Sequence, residues 1–77
     1  MSFKDTECAK TIVKCCDDAI EARSDCERAE ILNQLLFYAR LQNAPSKVIV
    51  KLQVAAGSTE KKRVTHIDDV KRFVLSC

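Results

Sequence analysis

SKVIVKLQVAAGSTEKKRVTHI, residues 46–67, is the stretch on which the fold turns. Val48, Val50, Leu52 and Val54 alternate with Ile49, Lys51 and Gln53. That period of two, with its β-branched residues, predicts a strand with one apolar face. Ala55-Ala56-Gly57-Ser58-Thr59-Glu60 supplies a turn, and Lys62 to Ile67 predicts a second, weaker strand. Asp68 reads as the N-cap of a short final helix in which Val70, Phe73 and Val74 share a face.

Upstream of Asn43-Ala44-Pro45 the period is helical. From about Asp5 to Arg23, the residues Cys8, Ala9, Ile12, Val13, Cys15, Cys16, Ala19, Ile20 and Ala22 fall on one half of a helical wheel. Lys10, Lys14, Asp17, Asp18 and Glu21 take the other half, with Lys14 and Asp18 spaced for an ion pair. Ser24-Asp25-Cys26-Glu27 has the form of a capping box, so a second helix starts at once and runs to about Gln42. A helix avoids continuing into the residue before a proline. The short connection makes the two helices an antiparallel hairpin.

This second helix is apolar on two sides. Ala29, Leu32, Leu35, Leu36 and Ala39 form the main face, extended by Ile31 and Tyr38, while Cys26, Phe37 and Leu41 lie opposite. Such a helix is central to its fold or part of an interface. The expected architecture is therefore a single α+β domain over residues 1–77: a helical hairpin (5–42), then a two-stranded β-hairpin and short helix (46–77), in the order ααββα. No stretch reads as an internal repeat. An isolated hairpin with open edges needs cover, from the helices or from a second copy.

Composition bounds the function. The chain is 47% hydrophobic and 31% charged, a globular mixture, with a formal net charge of +2. The charge is uneven: six bases face eight acids in residues 1–45, and seven bases face three acids in residues 46–77. No segment approaches the roughly 20 apolar residues of a membrane span. Lys4, Asp5 and Glu7 occupy the place of a secretory signal's apolar stretch. The expected compartment is the cytoplasm, and Met1 reads as the start of a complete small gene product. Five cysteines, an odd number, suit free and mostly buried thiols in a reducing environment.

Catalytic and metal chemistry find little footing, and neither cofactor nor metal is expected. Cys15 and Cys16 are adjacent and point about 100° apart on a helix. Cys8 and Cys15 share a face about 10 Å apart, too far to share one ion. A set drawn from Cys16, Cys26, His66 and Cys77 lacks any ligand spacing. Cysteine plus His66 meets the inventory for a nucleophile without a local signature. Asp17-Asp18 reads as solvated, Asp68-Asp69 as a helix start, and one glycine cannot make a phosphate loop.

Two functional readings remain. The first is a non-enzymatic protein-interaction module, self-associating as a homodimer, with Phe37, Tyr38 and Leu41 as anchors. Stand-alone proteins of this size commonly act as regulators, inhibitors or assembly accessories, phage and mobile-element accessories among them. The alternative is a nucleic-acid-binding regulator whose basic hairpin, Lys61-Lys62-Arg63, joins Lys47, Lys51, Lys71 and Arg72 on phosphates. Stacking aromatics are missing from that segment.

Overall fold

The computed structural model describes residues 2–77; the expectation placed on Met1 lies outside them. Four α-helices follow a single short turn at Phe3–Asp5: α1 (Glu7–Ile20), α2 (Asp25–Leu41), α3 (Ser46–Gly57) and α4 (Glu60–Ser76). The principal packing runs α1 on α2, α2 on α3, α3 on α4, and α4 back on α1. The result is a helical bundle, 83% helical, with no strand among the described residues.

The α+β expectation is overturned. Residues 46–57 form α3, and the expected second strand is the opening of α4. The alternation Val48, Val50, Leu52, Val54 is genuine, but the same segment also carries apolar residues at helical spacing. The helix buries Val48, Leu52 and Ala55 and leaves Val50 and Val54 about half exposed. Helix and strand preferences differ by at most about 1 kcal/mol per residue, so packing decides. A helix satisfies its own backbone groups, whereas a lone hairpin leaves two open edges. Likewise Asp68 caps nothing: it lies inside α4, whose N-cap position is Thr59.

Local chemistry fixes the ends. Thr6 opens α1, its Oγ1 accepting from the Ala9 amide at 3.1 Å. Ser24 opens α2, its Oγ accepting from the Glu27 amide at 3.1 Å. At the end of α2, Asn43 adopts a left-handed φ of 54°. This lets the Ala44 amide reach back to the Ala39 carbonyl at 3.0 Å and the Asn43 amide to Arg40 at 3.1 Å. Ala44 is buried beneath the corner. Pro45 then launches α3, its carbonyl accepting from the Val48 amide at 2.9 Å.

The core has a hidden two-fold regularity. Ile12, Cys16 and Ala19 of α1 correspond to Val48, Leu52 and Ala55 of α3, each pair 36 positions apart. Leu32, Leu35 and Ala39 of α2 correspond to Ile67, Val70 and Val74 of α4, each pair 35 positions apart. The packing order obeys the same exchange, since α1 on α4 maps to α3 on α2. The buried positions of α3–α4 thus follow those of α1–α2 at offsets of 36 and 35, although the connections differ in length, residues 21–24 against 58–59. Residue identities at these positions mostly differ, so no repeat is visible in the letters.

Candidate functional site

The most ordered polar cluster is the seam where the hairpins meet. Arg63, in the first turns of α4, is buried with only 8% of its surface exposed. Its Nε donates to the Ala55 carbonyl at 3.2 Å, and its Nη2 donates to Ala56 at 3.3 Å and Ser58 at 2.6 Å. These acceptors lie at the end of α3, where helical carbonyls lack amide partners. Its Nη1 also donates to the Asp25 carboxylate of α2.

Arg28 does the same for the first hairpin. Its Nε donates to the Ala19 carbonyl at 2.9 Å, and Nη2 to Ala22 at 3.1 Å and Ile20 at 3.4 Å. Arg28 and Arg63 are repeat-equivalent: each lies four residues after the N-cap position of its helix, at Ser24 and Thr59. Asp25 stands between them, 3.6 Å from Arg28 Nη1 through Oδ1, an oxygen that receives no hydrogen bond. A positive side chain at a helix C-terminus also complements the helix dipole.

This seam redistributes the basic set read from the sequence. There is no basic hairpin, and the Arg63 guanidinium is spent inside the fold. Lys51 pairs with Asp69 at 2.8 Å and sits 5.3 Å from the centre of the Phe73 ring. The Lys51 ammonium holds the Asp69 carboxyl below its ordinary range. Lys71 pairs with Asp17 of α1 at 2.7 Å, and the Asp17 carboxylate raises its pKa. Arg72 pairs with Asp68 at 2.9 Å. Lys47, Lys61 and Lys62 are exposed, with no ion pair among the described residues. Four of the seven bases therefore engage acids of the same chain, and the other three are exposed.

The apolar anchors divide as well. Phe37 is 65% exposed and Leu41 is 64% exposed, one turn apart on the outer face of α2. Tyr38 instead is half-buried against the core. Val50 and Val54 form a second outward pair on α3, and Val64 and Leu75 are exposed on α4. The core includes none of the exposed side chains Phe37, Leu41, Val50, Val54, Val64 and Leu75.

The cysteines are dispersed and all five are free. Burial pushes the Cys16 thiol up to about 12, and raises Cys8 and Cys15 less far. Cys26 is exposed at the start of α2, and Cys77 is half-buried at the end of α4. Among the described residues, no three His, Cys, Asp or Glu side chains gather as a metal site, and no pocket indents the surface.

Fold and surface together define a small four-helix protein with an internally clamped seam and exposed apolar residues on α2 and α3. No protein-family model matches the chain, nor does any curated protein or solved structure.

Proposed function

We propose that the protein is a non-enzymatic binding module that acts by occupying a protein surface with the outer face of α2. The observation that carries this is the exposure of Phe37 and Leu41, an aromatic and a leucine on one stripe, while the core closes without them. Aromatic side chains on a rigid element are the usual anchors of protein interfaces. A surface without a pocket suits a protein-sized ligand better than a small molecule. The partner is another protein or a second copy of this chain, and the role is that of a regulator, inhibitor or assembly accessory.

The cytoplasm is the proposed compartment, supported by five unpaired thiols. No helix is long and apolar enough to cross a membrane. The nucleic-acid reading falls further behind, because Lys51, Arg63, Lys71 and Arg72 all engage acids of the same chain.

The test compares the full chain with a Phe37→Asp/Leu41→Asp variant. Circular dichroism of the two should coincide, while complexes captured by the natural chain should be lost. Equal capture by both would remove α2 as the binding face. A salt-dependent shift of DNA or RNA by the natural chain, abolished by Lys61→Ala/Lys62→Ala, would restore the alternative.

A further inference from the structure

The repeat separates what the fold requires from what it merely carries. Phe37 and Leu41 on α2 are equivalent to Arg72 and Ser76 on α4, 35 positions later. Val50 and Val54 on α3 are equivalent to Lys14 and Asp18 on α1, which form an ion pair at 3.8 Å. The same structural positions therefore accept charged and polar residues in one half of the molecule. The apolar residues in the other half are surplus to folding.

Along α2 the exposed residues Glu27, Glu30, Gln34, Phe37 and Leu41 follow spacings of three and four. They make one outward stripe of α2, apolar only at Phe37 and Leu41. Its first half is acidic and its second half apolar, with exposed Arg40 beside Leu41. Neither Glu30 nor Arg40 has an ion-pair partner within the described residues.

Resting on the binding-module reading, we infer that the occupant of this face is a second copy of the chain, docked through α2 antiparallel to its own α2. A parallel pair would set Glu27 and Glu30 against the same acids of the second copy. The antiparallel pair has its two-fold axis between Leu35 and Leu36. Glu30 is then level with Leu41 of the other copy, and Gln34 with Phe37. At a rise of 1.5 Å per residue the two Phe37 side chains are offset by only about 4.5 Å along the axis, so they stack beside the dyad. The aliphatic stem of Glu30 covers Leu41 of the second copy, and its carboxylate meets that copy's Arg40. The ion pair forms twice, once on each side of the axis. A single helix from each copy makes a contact below the standard interface size of roughly 800 Å² per partner, the class of weak and transient association.

Sedimentation equilibrium of the full chain across micromolar to millimolar concentration tests the pairing. The natural chain should dimerise reversibly. Glu30→Arg and Arg40→Glu should each weaken the dimer by about tenfold, since each sets like charges together twice. Phe37→Asp should weaken it at least roughly a hundredfold. Mixing Glu30→Arg with Arg40→Glu should produce a heterodimer stronger than either homodimer, an outcome that a change in folding does not give. A natural chain that stays monomeric, or a dimer indifferent to these substitutions and to the mixing, overturns the inference. Photo-cross-linking in cells through p-benzoylphenylalanine at position 37 separates this failure from that of the underlying reading. Adducts of two copies support the self-pairing. Adducts with a different protein alone overturn it but leave the binding module standing, and absence of any adduct overturns both.

Discussion

Truncation of Arg63 to alanine should be the most destabilising single change on the polar side of this molecule. The side chain makes three hydrogen bonds to the last carbonyls of α3 and one charged contact to Asp25. Hydrogen bonds from a charged donor are worth about 1.5–3 kcal/mol each when intact. Water entering the vacated site recovers part of this at the outer carbonyls, and Asp25 keeps Arg28 at 3.6 Å. Breaking a buried pair costs about 3–5 kcal/mol in the general case. A net loss of about 3 kcal/mol follows for Arg63→Ala. A chain this long has a total stability of roughly 4–12 kcal/mol, so the loss is a large fraction of the whole. The melting temperature should fall by roughly 15 °C. In guanidinium chloride, with a slope of roughly 2 kcal/mol per M, the midpoint should fall by about 1.5 M. Helical circular dichroism at 222 nm reads both quantities. Arg63→Lys should recover less than half the loss, since an ammonium has no fork to span three carbonyls. Lys61→Ala/Lys62→Ala, the two residues just before Arg63 but exposed, should stay within about 0.5 kcal/mol of the natural chain. If Arg63→Ala also stays within that margin, the clamp is not what holds the hairpins together and the reasoning fails.

Three further outcomes follow from the same packing. The Cys16 thiol should make the protein labile to alkali: burial pushes it from the ordinary thiol range near 9.0 up to about 12. Its stabilising contribution is thus complete below pH 9 and is lost as pH climbs towards 12. Cys16→Ala should flatten that part of a stability–pH curve, and an unchanged slope would contradict the assignment. Gly57 ends α3 without a positive φ, and a methyl group there would meet nothing within 4 Å. Gly57→Ala should therefore stabilise by about 0.4–1 kcal/mol in the same denaturation assay, through reduced freedom of the unfolded chain. Val50→Lys and Val54→Lys should be tolerated within about 0.5 kcal/mol, whereas Leu52→Ala should cost about 2–5 kcal/mol. Equal damage at positions 50, 52 and 54 would return the segment to a strand.

Much of the first half was open to inspection in the letters. The wheel of α1 divides cleanly, and the residues it buries, Ala9, Ile12, Cys16 and Ala19, all come from its apolar half. Ser24 marks the start of α2 through a local bond, which depends on only three neighbouring residues. The outward pair Phe37 and Leu41 was also visible, because opposite sides of one helix can be compared without knowing its neighbours. Tyr38, placed at the margin of the main face yet grouped with them as an anchor, packs against the core instead. The pairing of the basic set was hidden for a related reason. A cation's availability depends on which acids stand nearby, and Asp17 and Asp25 come from the other half of the chain.

The sequence by itself determined the apolar positions, the helix start at Ser24, the turn at Asn43-Ala44-Pro45 and the uneven charge. These depend on residues within a turn or two of one another. Only the tertiary structure decided that residues 46–57 are helical, because Val48 and Leu52 suit either period. The difference came from burial against the other helices. It alone decided that Arg63 is an internal clamp, since the Asp25 carboxylate it holds lies 38 positions away. The two-fold repeat belongs to the same level: it is a regularity of burial and packing, shared by side chains whose names mostly differ.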